Sequence, residues 1–240
     1  MKNSLLKSSM LVVSIFTLIG CGSTSNDAGT GTDGGDNPPA SSELSQDLKD
    51  AITYMYSEEG LAHDVYLNIY KIQSTVNQLE NIATNSETKH IQAVNELAIK
   101  YDLNITKYPD TEAPYSTDDL DRYGSGEYPV EPIQELYNLL YDKGIQSEKD
   151  ALEVGCMVEV VDIDDLDEFI EYAERDNASG ILATFNFLRD GSYTHYWAFD
   201  KGLKNKGVAD GCCSLEPALG HNFCHPEYPQ KEKGKGKDSH

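Results

Sequence analysis

The sequence predicts an all-α protein, a bundle of four long helices with one long crossover and an extra short helix. Two observations predict this class. From Glu43 to about Lys206, apolar residues recur every three or four positions, and no stretch shows the regular alternation of a β-strand. A long connection at 104–130, which contains three prolines and two glycines, also separates the second long helix from the elements that follow.

The spacing of apolar residues places each helix in turn. Long helices are expected at 43–72, 77–101, 147–174 and 177–205, and a shorter one at 131–143. Ser147, with Asp150 three residues later, resembles an N-terminal capping arrangement. Gly144 stands where the short helix should stop. The long connection lets the third long helix start at the far end of the bundle.

The first 21 residues have the pattern of an exported lipoprotein. Lys2 and Lys7 precede a short apolar stretch, and the four residues that end at Cys21, Leu-Ile-Gly-Cys, resemble the bacterial lipobox. We therefore expect residues 1–20 to be a signal peptide and Cys21 to be the lipidated first residue; the alternative is an ordinary secretory signal. Gly22 stands where an inner-membrane retention signal would place Asp, which favours the outer membrane, on its periplasmic or surface face.

Three further segments follow the signal peptide. Residues 21–42 comprise the lipidated cysteine and a flexible linker of Gly, Ser, Asp and similar residues, which lack the apolar surface needed to fold. Residues 43–208 form the helical bundle, and residues 209–240 form a Cys- and His-containing tail that ends in a disordered Lys-rich segment. No apolar run reaches the length of about 18 residues that a membrane-spanning helix needs.

The charge excludes one class of partner. With 41 acidic and 19 basic residues, the net charge is −22. This charge repels phosphate backbones, so nucleic-acid binding is not expected, whereas metal cations are suitable ligands.

Ionisable residues interrupt the apolar stripe near the middle of every long helix. Residues three and four apart lie on one face of a helix, and Glu59 lies on such a face between Met55 and Ala62. The other long helices show the same interruption. The interrupting residues are Glu59, Glu87, His90, Glu159, Asp162 and His195.

These six residues predict a metal site. Four carboxylates in a dry core destabilise the fold unless a cation compensates them. Two divalent ions balance four carboxylates, and two imidazoles complete a ligand set of the kind found in di-iron and di-manganese carboxylate bundles. Glu87 and His90 share a face, as a bridging carboxylate and a terminal imidazole require. The alternative is that the stripes are one register off and the residues face solvent.

The sequence also resembles known families. The segment from Glu59 to Tyr66 is similar to the first-helix pattern E-x-x-A-R-x-x-Y of rubrerythrins, with His63 in place of the arginine, and Glu87 with His90 matches their E-x-x-H. The strings SEEGLAHDVYLNIY, NIATNSETKHIQAV, DALEVGCMVEVVDIDDL and RDGSYTHYWAF look like the bacterial ferritin-like family called domain of unknown function 2202. The resemblance covers roughly residues 45–205 and implies a ferritin-like bundle with a metal site.

One departure from rubrerythrins concerns the fourth long helix. Ser192 stands three residues before His195, where a second E-x-x-H would have Glu, and Asp162 is the expected replacement. Gly191 is expected to mark a local bulge that re-aims His195. Glu58 is expected to face solvent or to support the ligands from behind. The acidic run at 162–167 is interpreted as a solvated helix face rather than a calcium loop.

The cysteines leave two interpretations open. In an oxidising compartment, the default is a disulfide between Cys224 and either Cys212 or Cys213, with Cys156 as a free thiol in the core. The alternative is a soft-metal site built from Cys212, Cys213, Cys224 and a histidine.

Together, these features predict an envelope-anchored ferritin-like protein with a di-metal carboxylate centre and ferroxidase or peroxidase activity. The cofactor is expected to be two iron ions, with manganese as the alternative. The rival functions are non-catalytic metal storage or sensing, a helical scaffold, and calcium-dependent adhesion through the acidic surface. The expected partners are transition-metal ions and, through the lipid anchor alone, a membrane; a homodimer is compatible with this interpretation.

Overall fold

The computed structural model describes residues 44–103, 125–128 and 130–230. Within these ranges the helices are α1 (Gln46–Tyr70), α2 (Asn77–Ile82), α3 (Thr88–Lys100), α4 (Glu131–Gly144), α5 (Glu148–Arg175) and α6 (Ser179–Asn205). A π-helical turn, Ala83–Glu87, joins α2 to α3, and a 3-10 turn, Gly211–Ser214, follows α6. The described ranges contain no strand beyond one isolated bridge, Ala218 to His221, so the all-α prediction is confirmed.

Several expectations fall on other parts of the chain. The signal peptide, the lipidated Cys21, the linker, most of the connection at 104–130 and the Lys-rich end lie outside the described residues. Among the helices that the structure describes, none has the length and apolar character needed to cross a membrane.

Capping side chains fix where two of the long helices begin. The Ser45 hydroxyl accepts a hydrogen bond of 3.3 Å from the backbone N–H of Leu48 at the start of α1. The Ser147 hydroxyl accepts one of 3.0 Å from the N–H of Asp150 and donates one of 2.5 Å to its carboxylate. The predicted capping of α5 is therefore confirmed, and it satisfies an N–H that the first helical turn leaves without a partner.

Gly144 ends α4 for a reason that the sequence did not reveal. Its backbone is right-handed, and so is that of Ile145 after it. A Cβ at Gly144 would overlap the side chain of Ile69 on α1. The residue therefore permits close packing of α4 on α1 and does not act as a left-handed stop signal.

A polar layer divides the interior of the bundle into two apolar cores. One core includes Leu61–Ile69 of α1 and Tyr196–Leu203 of α6, and the other includes Leu48–Met55 of α1 and Ile181–Leu188 of α6. The remaining long helices also contribute to both cores. Since α1, α5, α6 and the segment from α2 to α3 each pass from one core to the other, the polar residues near their middles meet at the same depth.

The predicted helix at 77–101 is observed as a continuous helical segment, but its middle is the π turn Ala83–Glu87. In contrast, α6 runs as a regular helix through Gly191. The expectation of a bulge at Gly191 was therefore wrong, and the irregular turn is Ala83–Glu87. Single π turns inside helices occur frequently at functional sites.

Candidate metal centre

All six residues that interrupt the apolar stripes are buried. The exposed fraction is 2% for Glu59, Glu87, His90 and Glu159, 5% for Asp162 and 6% for His195. The helical register is therefore the one that the spacing predicts, and the solvent-facing alternative does not hold.

The structure brings five of the six residues together in two overlapping groups. Glu59, Glu87 and His90 form one group, and Glu87, Glu159 and His195 form the other; within each group, one potential ligand atom per residue lies within 4.8 Å of the others. Either group could hold a metal ion. Glu87 belongs to both groups, which makes it a candidate bridge.

The two oxygens of Glu87 are shared between the two histidines. Oε2 lies 3.0 Å from Nδ1 of His90, and Oε1 lies 3.0 Å from Nδ1 of His195. The two imidazole rings are stacked, with their centroids 5.5 Å apart. Each oxygen of one carboxylate thus faces a different ligand nitrogen, as a carboxylate that bridges two ions would.

A second carboxylate completes each group. Nδ1 of His90 is 3.1 Å from Oε2 of Glu59, and Nδ1 of His195 is 3.3 Å from Oε2 of Glu159. A ring nitrogen carries at most one proton, so one Nδ1 can donate to only one of the two oxygens that it faces. Two carboxylate oxygens and one imidazole nitrogen converging on one point are a suitable ligand set for a divalent cation.

Asp162 lies near these groups but belongs to neither. Its Oδ2 accepts a hydrogen bond of 2.5 Å from the hydroxyl of Ser192, and its Oδ1 has no hydrogen-bond partner among the described residues. Asp162, the expected replacement for a glutamate of the fourth long helix, thus places a carboxylate in the polar layer. Ser192 binds one oxygen of that carboxylate.

The far side of each imidazole is packed against residues that the sequence did not indicate as neighbours of the ligands. Nε2 of His195 lies 2.8 Å from the Ser86 hydroxyl, which belongs to the π turn. Phe187 packs edge-on against His90 at a centroid distance of 5.5 Å. A Cβ at Gly191 would overlap Nε2 of His90, so the glycine makes room for that ring. No sequence signal indicated Ser86, since serine is common on helix surfaces.

Tyr66 supports Glu159 from the first helix. Its hydroxyl donates a hydrogen bond of 2.5 Å to Oε1 of Glu159, and both groups are buried. Burial and the nearby Glu159 carboxylate raise the pKa of Tyr66 well above its ordinary value, so the hydroxyl keeps its proton. The motif resemblance included Tyr66 without assigning it a role; the structure shows that it orients a candidate ligand.

Glu58 is buried, so of the two expectations for this residue, exposure to solvent is wrong. Its exposed fraction is 2%, and its carboxyl group interacts with the side chain of Asp165. Burial, followed by the charges of Asp165, Asp162 and Glu59, raises its pKa well above the ordinary value. The sequence did contain a signal, because Glu58 lies three residues after Met55 and four before Ala62 and so shares their face.

Burial and mutual interaction shift the pKa values of the candidate ligands in different directions. Burial raises the pKa of Glu59 to about 7, although His90 opposes the shift. Burial alone would also raise the pKa of Glu87, but His195 and His90 hold it below its ordinary value. Burial would lower the pKa of His195, yet Glu159 and Glu87 raise it to about 10. In the absence of a metal ion, protons therefore compensate the negative charge of the site.

The pKa values of the remaining candidate carboxyl groups are raised as well. Burial is the largest cause of the raised pKa of Glu159, and burial together with the charge of Glu59 raises that of Asp162 well above its ordinary value. These groups should release protons when a cation takes their place.

The four described cysteines are paired. Cys213 is bonded to Cys224, one of the two expected pairings, and Cys156 is bonded to Cys212. The expectation of a free thiol at Cys156 was therefore wrong: this residue, one helical turn before Glu159, anchors the tail to α5. Because all four sulfurs are in disulfides, none provides a thiolate for the soft-metal alternative.

A cleft reaches the site from the surface. It has a volume of about 490 Å³ and is lined by Ser86, Lys89, His90, Ala183, Asn186, Phe187, Asp190 and Gly191. The cleft lies on the Nε2 side of His90, which is the side where Gly191 leaves room. The imidazole thus separates the cleft from the carboxylates at its Nδ1.

Residues 48–215 match the family described as "Uncharacterized protein domain (DUF2202)". The chain belongs to the DUF2202 family. All six candidate ligands of this DUF2202 chain lie within the matched range.

Two further matches point to the same relative of this DUF2202 protein. The uncharacterized protein MJ0754 of Methanocaldococcus jannaschii is 34% identical over 164 residues, which cover 68% of this chain and 79% of the relative. A solved structure, described as the crystal structure of hypothetical protein MJ0754 from Methanococcus jannaschii, matches with a TM-score of 0.58 and 32% identity. It covers 73% of this chain and 87% of that chain.

Proposed function

We propose that the protein binds two transition-metal ions, preferentially iron, in the polar layer of its bundle. Glu59 and His90 hold one ion, Glu159 and His195 hold the other, and Glu87 bridges them. The observation that carries this proposal is the position of Glu87, whose two oxygens each lie 3.0 Å from Nδ1 of a different histidine. A carboxylate that takes part in two ligand groups is most simply explained by two ions.

The polar atoms that lack partners support this assignment. Oε1 of Glu59 and Oδ1 of Asp162 are buried without a hydrogen bond from any described residue. Unsatisfied buried carboxylate oxygens destabilise a fold unless a cation or a proton compensates them. Imidazole and carboxylate together suit iron and manganese, whereas calcium takes oxygen ligands alone.

The residues around the site would orient the ligands of the proposed iron pair and shield it from water. When bound, an iron pair supplies electrons to peroxide or O₂, which is the basis for proposing ferroxidase or peroxidase activity. Tyr66 fixes the orientation of Glu159, and Ser86 fixes that of His195. The two apolar cores on either side exclude bulk water from the polar layer.

We also propose that a lipid on Cys21 anchors the chain to the cell envelope. The positive start, the short apolar stretch and the lipobox-like end of residues 1–21 support this part of the proposal. In the expected arrangement the linker lets the bundle hang free of the membrane surface.

An anaerobic iron(II) titration of the purified full chain tests the metal assignment. We expect two ions per chain, and loss of both in the double variant Glu87→Ala, His90→Ala with the helical circular dichroism retained. The matched control is Gln92→Ala, Glu96→Ala, an exposed hydrogen-bonded pair on the same helix. Full occupancy in the Glu87 and His90 variant would place the metal elsewhere and refute the assignment.

Addition of peroxide to the loaded protein separates catalysis from storage. A spectral change of the reduced site that repeats with each addition of reductant supports an oxidoreductase. Two bound ions with no change on peroxide indicate a storage or sensing protein, and a chain that binds no metal indicates a scaffold.

A further inference from the structure

The two imidazoles of the candidate metal centre differ in what their outer nitrogens meet. Nδ1 of each ring faces a carboxylate oxygen, at 3.1 Å from Glu59 for His90 and at 3.3 Å from Glu159 for His195. Nε2 of His195 lies 2.8 Å from the hydroxyl of Ser86. Nε2 of His90 forms no hydrogen bond with any described residue, although only 2% of His90 is exposed. One of two otherwise similar rings thus has an outer nitrogen without a partner in the described part of the chain.

This nitrogen needs a hydrogen-bond acceptor when the centre holds metal. An imidazole that binds an ion through Nδ1 keeps its proton on Nε2, and that N–H almost always donates to a carboxylate, a carbonyl or water. For His195, the hydroxyl of Ser86 is in position to accept. For His90, the acceptor has to come from the cleft on the Nε2 side of the ring.

The cleft has room for more than water. Its volume is about 490 Å³, and it lies between α6 on one side and α3 with the preceding π turn on the other. One water takes about 30 Å³ of liquid volume, and pockets for small organic molecules measure about 300–1,000 Å³. A molecule of several non-hydrogen atoms therefore fits beside His90.

The lining of the cleft indicates the chemistry of that molecule. Lys89 precedes His90 in α3 and brings a positive charge to the same wall. Phe187, which is 48% exposed, and Ala183 give the α6 wall an apolar part. Asp190 adds one negative charge from α6. An N–H donor and an ammonium group opposite an aromatic ring suit an anion with an apolar body.

We propose that this cleft binds a small organic carboxylate, which accepts a hydrogen bond from Nε2–H of His90 and places its apolar body against Phe187. Its coupling to metal rests on the proposed function. An acceptor at Nε2 makes the imidazole a stronger ligand through Nδ1, so the carboxylate strengthens binding of the ion that His90 holds. By linkage, that ion strengthens binding of the carboxylate by the same factor. The carboxylate is an effector of the metal centre and not a ligand of the metal.

Calorimetric titration of benzoate tests the site in the full chain, both metal-free and loaded anaerobically with iron(II). We expect one benzoate to bind in each case, and to bind the loaded chain about fivefold more tightly, the lower end of typical coupling between sites. Benzyl alcohol has the ring without the charge, and inorganic phosphate has the charge without the ring. Both should bind more weakly than benzoate. Equal affinities for phosphate and benzoate would overturn the assignment of an organic ligand.

Substitutions on both walls locate the bound benzoate. Lys89→Gln should weaken its binding by about fivefold, the upper end for an exposed ion pair, and Asp190→Asn should strengthen it because a like charge is removed. Ala183→Leu, at an exposed position of α6, should fill the cleft and abolish binding with the helical circular dichroism retained. Lys100→Gln, at the other end of α3, is the matched control and should bind benzoate like the wild type. Wild-type affinity in both Lys89→Gln and Ala183→Leu would place benzoate elsewhere and overturn the proposal.

Nuclear magnetic resonance observes the imidazole nitrogens themselves. The full chain carries ¹⁵N-labelled histidine and is loaded with zinc(II), a diamagnetic ion that accepts imidazole and carboxylate ligands. Benzoate should shift the Nε2 resonance of His90. The Nε2 resonance of His195 is the internal control and should stay in place, because that nitrogen already faces Ser86. Benzoate binding without a shift at His90 would exclude the hydrogen bond and overturn the proposal.

Failure of the cleft and failure of the metal centre give different results. A chain that binds two ions but no benzoate leaves the di-metal centre intact and overturns the cleft site, with water as the acceptor for His90. A chain that binds benzoate in the cleft but no metal refutes the di-metal centre and the coupling, and supports the cleft as a carboxylate site.

Discussion

Gly191 of α6 lies directly against the Nε2 edge of His90 on α3, where any side chain would overlap the ring. Gly191→Ala should therefore displace His90 from Glu59 and Glu87. We expect metal affinity to fall by about 10- to 100-fold, the usual effect of disturbing a ligand's support. Overpacking should also destabilise the fold by about 1–3 kcal/mol. Metal titration and urea unfolding measure the two effects.

Gly60 provides the control for this substitution. It also lies within a long helix and adjoins a candidate ligand, Glu59, but a Cβ there would meet only Tyr128, at an ordinary 3.8 Å. Gly60→Ala should leave metal binding intact and stabilise α1 by about 0.5–1 kcal/mol through its helix propensity. Equal metal affinities in the two alanine variants would show that metal binding does not depend on the room that Gly191 leaves for His90.

Removal of the Tyr66 hydroxyl tests its role in orienting Glu159. Tyr66→Phe leaves a buried carboxylate oxygen without its donor, so the free energy of unfolding of the metal-free protein should fall by about 1–3 kcal/mol. The second ion should bind less tightly because Glu159 is no longer fixed. Tyr70→Phe, a change at a surface hydroxyl beside Glu80, is the control and should alter neither quantity. Identical unfolding curves for the two variants would contradict the assignment.

The metal-free protein should lose stability as pH rises. The pKa of Glu59 is raised from an ordinary 4.5 to about 7, so the stability that its protonated form provides is complete below pH 4.5 and is lost by about pH 7. The pKa of His195 is raised from 6.5 to about 10, so the stability that its protonated form provides is lost as pH rises between those values. Glu87, whose pKa is lowered, opposes this trend only below pH 4.5, which is the ordinary value of its pKa. Thermal unfolding with chelator at about pH 5.5 and 8.5 should show the lower midpoint at the higher pH.

Bound metal should reverse this dependence. Protons and metal ions compete for the same carboxylates and imidazoles, so the stabilisation that metal provides grows as pH rises. At a free metal concentration a hundredfold above the dissociation constant, that stabilisation is about 2.7 kcal/mol. The difference between the midpoints with and without iron(II) should be larger at pH 8.5 than at pH 5.5. A constant difference would mean that the titrating groups are not the ligands.

The two disulfides should differ in their contribution to stability. Cys156–Cys212 closes a loop with a sequence separation of 56, and Cys213–Cys224 closes one of 11. Loop-closure entropy gives about 4 kcal/mol for the longer loop and about 3 kcal/mol for the shorter one. Urea unfolding of the two double-alanine variants should rank them in that order. A larger loss from removing the short loop would show that packing of the tail, and not loop entropy, controls stability.

The lipid anchor is tested at a single residue. Cys21→Ser should abolish incorporation of labelled fatty acid and release the protein from the membrane fraction. Cys156→Ser removes a cysteine of the bundle and should leave labelling unchanged. If the Cys21 variant remained labelled and membrane-bound, the lipoprotein proposal would be wrong.

Helical periodicity was sufficient to predict the depth of the candidate ligands. Glu59 lies between Met55 and Ala62 at intervals that only a helix places on one face, so its burial followed from the sequence. The same reasoning located Glu87 and His90, and the capping of α5 followed from Ser147 and Asp150. These features depend on residues near one another in the chain, which is why a single sequence reveals them.

Apart from the burial of Glu58, the features that were missed depend on contacts between distant segments. The Tyr66–Glu159 hydrogen bond joins residues 93 positions apart, and the one between Ser86 and His195 joins residues 109 apart. The pairing of Cys156 with Cys212 depends on how the tail folds back on α5. Periodicity says which face of a helix is buried, but not which neighbour lies against it.

The π turn Ala83–Glu87 acts as a one-residue insertion that leaves the helical segment unbroken. Each residue of an α-helix advances the chain by about 100°, so the length of Ala83–Glu87 sets the rotation of α3 relative to α2. Deletion of Asn85, an exposed residue of this turn, would rotate every following position of α3 by about that angle. His90, Val94 and Leu97 would then turn away from the interior together. The length of this turn, to which Asn85 contributes one residue, thus sets the orientation of His90 and of the buried face of α3.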